Sequence, residues 1–156
     1  MKGNAQVLKH LNEVLTNELT SVNQYFVDYK MLDNWGYEPL AQHYRDESID
    51  EMKDADELIG RILFLEGVPN LQRLATVRVG ETVPEKLQLA LDLEYESIER
   101  LNLGIAKCLE LGDNGTRELL EQILEGEEDH ADWLETQLGL IGQLGETNYL
   151  TQQLRD

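Results

Sequence analysis

Residues 44–58 read Tyr-Arg-Asp-Glu-Ser-Ile-Asp-Glu-Met-Lys-Asp-Ala-Asp-Glu-Leu, and residues 120–134 read Leu-Glu-Gln-Ile-Leu-Glu-Gly-Glu-Glu-Asp-His-Ala-Asp-Trp-Leu. At helical spacing, Tyr44, Glu47, Glu51, Asp54 and Leu58 share one face, and so do Ile123, Glu127, His130 and Leu134. Each apolar stripe is therefore interrupted by acids where a core is expected. Two further stripes carry the same interruption: Glu18 among Leu11, Leu15, Val22 and Tyr25, and Glu94 between Leu91 and Ile98. Glu94 follows Glu18, Glu127 follows Glu51 and His130 follows Asp54 by the same interval of 76 positions (94 less 18, 127 less 51, 130 less 54), so the two halves are offset copies.

Working outward, the first pattern starts after Asn4, an N-cap, and runs through Val7, Leu8, Leu11, Leu15, Leu19, Val22, Tyr25, Phe26 and Tyr29 to about Trp35-Gly36. The second starts at Pro39 and ends at Gly67-Pro69. Residues 67 to about 81 have no helical period and make a long connection. Thr82-Val83-Pro84-Glu85 reads as a capping box opening the third helix, which Gly112-Asp113-Asn114-Gly115 ends. The fourth runs to Gly145, and Glu146 to Leu154 forms a short fifth helix. Short, long and short connections predict two antiparallel pairs joined by a crossover: an all-α, ferritin-like four-helix bundle forming one domain over residues 1–156.

Composition narrows the function. Asp+Glu 31 against Lys+Arg 13 leaves a net charge of −18, which disfavours nucleic acid and favours cations. No stretch approaches the roughly 20 apolar residues of a membrane span, and the start Met1-Lys2-Gly3-Asn4 lacks a signal core, so we expect a cytoplasmic protein with no membrane partner. With Cys108 alone, a disulfide within the chain and a Cys-x-x-Cys iron site are both excluded.

Buried carboxylates are costly unless a cation compensates them. One carboxylate on one helix and Glu-x-x-(Asp/His) on its partner, used twice, is the ligand set of a dinuclear metal site at mid-bundle. That assigns Glu18, Glu51, Asp54, Glu94, Glu127 and His130 as both metal-ligating and catalytic residues. Chance places one Glu on a core edge with its head in solvent; it does not place six residues in two registered copies. Met52, about 100° round the helix from Glu51, joins a second apolar stripe of Ile49, Ile59 and Leu63, which predicts a second packing surface and a partner subunit.

Asn17-Glu18-Leu19, Asn23-Gln24-Tyr25-Phe26, Glu47-Ser48-Ile49-Asp50-Glu51-Met52-Lys53, Arg61-Ile62-Leu63-Phe64-Leu65-Glu66-Gly67, Pro69-Asn70-Leu71-Gln72 and Trp133-Leu134-Glu135-Thr136-Gln137-Leu138 resemble the bacterioferritin family over essentially the whole chain. The resemblance implies a cytoplasmic iron-storage shell of about 24 subunits built from dimers, a non-haem diiron ferroxidase centre in each, with Glu51 and Glu127 bridging, and haem b between subunits with Met52 as axial ligand. Asp54 departs from the family, which has His there. The resemblance further implies an inner-surface iron site at Asp46 and Asp50, the first of which is His in the family, and docking of a bacterioferritin-associated ferredoxin at Val68, Glu81 and Glu85.

Remaining candidates have simpler readings. Tyr25 reads as a ligand's hydrogen-bond partner or a core residue, His43 as a surface residue, Cys108 as core near a helix end, and Trp35 and Trp133 as buried indoles. Three functions compete: a storage ferroxidase using O₂ or H₂O₂; a haem-bearing, electron-transfer subunit impaired by Asp54 and mixed with a second ferritin subunit; and a discrete diiron peroxidase, which the absent Cys-x-x-Cys disfavours.

Overall fold

The computed structural model describes residues 1–154; residues 155 and 156, the end of the domain read from the sequence, lie outside the described residues. Four long helices and one short one make up the fold: α1 (Ala5–Asn34), α2 (Glu38–Phe64), α3 (Val83–Leu111), α4 (Asn114–Leu144) and α5 (Glu146–Thr151). No strand occurs among the described residues. α1 packs along α2 and α3 along α4, α1 also faces α3, and α2 touches α4 only thinly. This is the bundle with a long crossover that the sequence predicts.

Helix ends follow the capping residues. Asn4 accepts from the Gln6 amide at 2.8 Å, and the Thr82 hydroxyl accepts from the Glu85 amide at 3.2 Å. Asp113 accepts from the Thr116 amide at 3.0 Å, so α4 already begins at Asn114, and Asn114-Gly115 forms its first turn rather than part of the break. Gly112 closes α3 with φ of +75°, a left-handed conformation that costs glycine nothing. At Gly67 a Cβ would lie 2.5 Å from the tip of the Leu8 side chain, so a larger residue there would make Leu8 shift.

The crossover lies along α1, which holds it by backbone groups. Asn12 accepts from the Asn70 amide at 2.7 Å and donates to the Val68 carbonyl at 3.2 Å. About two and three turns further along α1, Thr20 accepts from the Ala75 amide and Gln24 from the Arg78 amide, each at 3.1 Å.

Two apolar clusters fill the bundle. One includes Leu11, Leu15, Leu58, Ile62, Leu101 and Ile123; the other includes Tyr25, Leu32, Tyr44, Leu87, Leu91 and Leu134. Cys108 is buried in the first, as the sequence predicts. By position along every long helix, the carboxylates fall between the two clusters, so their layer is sealed at both ends by side chains that exclude water.

Candidate metal centre

The stripes deliver their acids to one layer. Glu18 and Glu94 are fully buried, Glu127 is 1%, and Glu51 and His130 are 3% exposed. Ligand atoms of Glu18, Glu51, Asp54 and Glu127 lie within 4.8 Å of one another. Glu94 stands beside them: His130 Nδ1 is 2.9 Å from its Oε1, and the Tyr25 hydroxyl donates to the same oxygen. All six residues singled out in the sequence thus line one connected cluster, with Asp54 the least buried.

Its hydrogen bonding is incomplete. Both oxygens of Glu18, one oxygen each of Glu51, Glu94 and Glu127, and His130 Nε2 are buried without a partner. Native proteins rarely leave such atoms unsatisfied. Protons are the compensation this chain itself supplies: burial, reinforced by neighbouring carboxylates, pushes Glu18, Glu51 and Glu127 well above the usual carboxylate range. Burial also acts on Glu94, but hydrogen bonds from Glu127, His130 and Tyr25, with the His130 charge, outweigh it and hold that carboxyl low. Asp54 is pushed up to about 7 by burial and then by Glu57, Asp50, Glu94 and Glu47. Hard carboxylate oxygens and one imidazole, aimed inward and short of partners, fit divalent first-row ions.

A cleft of about 610 Å³ opens between α2 and α4, where the bundle is thinnest, and reaches Glu51, Asp54, Glu127 and His130.

A family model for the ferritin-like domain matches residues 8–144. The bacterioferritin of Mycobacterium leprae (strain TN) is 50% identical over 152 residues, covering 97% of this chain and 96% of its own. Bacterioferritin BfrA of Mycobacterium tuberculosis (strain ATCC 25618 / H37Rv) is 49% identical with the same coverage. The bacterioferritin of Brucella melitensis is 44% identical over 149 residues, covering 96% and 92%. The chain belongs to the bacterioferritin family.

In this bacterioferritin chain, two residues beside the centre escaped the sequence reading. His43 is half-buried rather than a freely exposed surface residue: its ring stacks on Trp133, centroids 3.5 Å apart and planes 12° from parallel. Glu47, recognised as inward-facing but not as part of the site, brings Oε2 to 3.5 Å from His130 Nδ1. Burial holds His43 down at about 3, with His130 adding to the effect, and carries Glu47 up to about 7. The signal was present, since 43, 47, 51 and 54 step along one helical face.

Met52 is 57% exposed, with Leu63 and Ile49 also exposed, while Ile59 is half-buried against the first apolar cluster, so most of the second stripe of α2 is open to solvent. Asp46 and Asp50 are exposed; Asp46 accepts from Gln42, and Asp50 lies 3.9 Å from Lys53. Val68 is exposed, and Glu85 accepts from the Glu81 amide at 2.8 Å. Trp35 and Trp133 are half-buried rather than buried.

Proposed function

We propose that this chain stores iron and oxidises it first: Fe(II) is the substrate of a dinuclear ferroxidase site formed by Glu18, Glu51, Asp54, Glu94, Glu127 and His130. Membership of the bacterioferritin family supports iron storage. The observation that carries the oxidation step is the layer of buried carboxylates, each with at least one oxygen that has no hydrogen-bond partner.

The chemistry follows from charge and position. Two Fe(II) ions reach the layer through the acidic cleft and displace the protons that burial keeps on Glu18, Glu51 and Glu127. Glu51 and Glu127 bridge the ions, Glu18 and Glu94 hold one side of each, and Asp54 and His130 complete them. Tyr25 fixes Glu94 by its hydroxyl, so the carboxylate keeps its orientation as ions come and go. Each Fe(II) gives up one electron: two ions together with two protons reduce O₂ to H₂O₂, and two ions with two protons likewise reduce H₂O₂ to two waters. Carboxylate ligation favours the ferric product, which then passes to the mineral.

Met52 suits a haem shared by two copies of the chain, because its thioether stands exposed in an apolar stripe most of which is open to solvent. Haem there supplies one-electron transfer. The stripe supports pairing of two copies, and membership of the bacterioferritin family extends this reading to a homo-oligomeric shell of about 24 single-domain subunits in a cytoplasmic setting, with an electron-donating ferredoxin docking near exposed Val68. No helix among the described residues is long and apolar enough to cross a membrane.

Asp54 favours one second reading, a haem-bearing subunit with an impaired oxidase site that works in mixed shells. Stopped-flow oxidation of anaerobically added Fe(II) separates the two. Storage with its own oxidase requires a fast phase saturating at two Fe(II) per subunit, lost roughly 10- to 100-fold in Glu127→Ala while sedimentation still shows the shell. A wild-type-like fast phase in that variant overturns the assignment.

A further inference from the structure

Outside the four-carboxylate set, the α2–α4 cleft holds a second donor cluster. One ligand atom each from His43, Glu47 and His130 lies within 4.8 Å of the others. His43 Nε2 faces Glu47 Oε1 at 4.0 Å, too far for a hydrogen bond, and is buried with no partner. His130, whose side chain is 1% exposed and lines the same cleft, also has an unpartnered ring nitrogen, Nε2. His130 Nδ1, which also faces Glu94, lies 3.5 Å from Glu47 Oε2, so two imidazoles flank one carboxylate, and the His43 ring is held by its stack on Trp133.

We infer that His43, Glu47 and His130 form a third divalent-cation site, at the cleft side of the dinuclear centre. Two imidazoles and one carboxylate make a borderline-soft donor set that takes Zn(II), Co(II) or Fe(II) in preference to Mg(II) or Ca(II) and leaves a coordination position open to water. Ligand atoms around one such ion stand roughly 3.3 Å apart, as bonds of about 2.0–2.2 Å require, so modest side-chain rotation closes the cluster. Asp50, Asp54, Glu57 and Asp129 line the same cleft and raise the local cation concentration. His130 is the only residue common to this cluster and the dinuclear one. It therefore couples them: an ion held by His43 and Glu47 already touches a ligand of the inner pair. The site is a waiting position on the way in.

The inference rests on the dinuclear reading only for this role in uptake; the cation site itself stands on its own residues. Zn(II), which has no redox chemistry, tests it. Crystals soaked in Zn(II) should show an anomalous peak bounded by His43, Glu47 and His130, and calorimetric titration of the assembled protein should give one more equivalent per subunit than in His43→Phe. Phe keeps the stack on Trp133 but has no donor atoms, so folding and assembly are preserved; Glu47→Gln is the independent second variant and should lose the same equivalent. No peak at His43 in wild-type crystals, or equal stoichiometry in wild type and His43→Phe, overturns the proposal. Zn(II) at His43 with none among Glu18, Glu51, Asp54 and Glu127 would instead overturn the dinuclear reading and leave this site standing.

Discussion

Lys86 Nζ lies 2.9 Å from Asp28 Oδ1, with both side chains essentially inaccessible to solvent. The ammonium also sits 5.2 Å from the centre of the Trp35 ring. Burial holds the Asp28 carboxyl at about 6 even though Lys86 pulls it down, so Asp28 is mainly a carboxylate at neutral pH. Removing one partner strands the other charge in the core. Lys86→Met should therefore lower stability by about 3–5 kcal/mol, while the double variant Lys86→Met/Asp28→Leu should recover most of the loss. Denaturant unfolding at fixed subunit concentration measures both; a single variant as stable as wild type would show that the pair contributes nothing.

In the proposed dinuclear site, Asp54 is the residue that would set the character of one metal position. Four glutamates balance two Fe(II) ions, and an ionised Asp54 makes the site anionic by one charge. Asp54→His removes that charge and should tighten the ion on its side by on the order of ten-fold, with altered oxidation kinetics. Titration with Fe(II) under argon followed by stopped-flow reads both, and unchanged binding would remove Asp54 from the ligand set.

The pH dependence of the metal-free protein has a definite sign. Asp54 and Glu47 are carried up to about 7, so the folded state keeps protons that unfolded carboxyls, near 4, have released. Stability from these groups is full at low pH and is lost as pH rises through about 7. The melting temperature of the apo protein should thus fall between about pH 5.5 and 8, and saturating Zn(II) should remove the trend, since bound ions replace the protons. An apo melting temperature that rises across this range would contradict the assignment.

Met52 is tested by colour. Met52→Leu keeps the apolar stripe of α2, so the shell should sediment normally while the low-spin haem spectrum disappears. Persistence of that spectrum would assign the axial position elsewhere.

The fold was legible because its signals are local and repeated. Asn4 and Thr82 mark helix starts, Gly112 a stop, and the carboxylate interruptions recur at one interval, whereas the cap at Asp113 was hidden inside a run read as a break. Glu18 and Glu94 stand alone in apolar stripes, where period alone exposes them. His43 hid for another reason: it shares a helical face with Glu47, Glu51 and Asp54, but its cover comes from Trp133, 90 positions away, as residue numbers 43 and 133 show. Glu47 was placed on the right face, but its distance to His130 depends on how α2 and α4 cross. The Lys86–Asp28 pair, 58 positions apart, left no periodic trace.

α1 grips the crossover through amides and a carbonyl of Val68, Asn70, Ala75 and Arg78, not through their side chains. The strap is thereby held by a feature every amino acid except proline shares. Its outward side chains, Val68, Leu71 and Leu74 among them, stand free of the duty of keeping the two helix pairs in register. Evolution can rewrite the exterior of this segment residue by residue, changing which molecules the outer surface attracts, while Asn12, Thr20 and Gln24 keep the path of the chain unchanged.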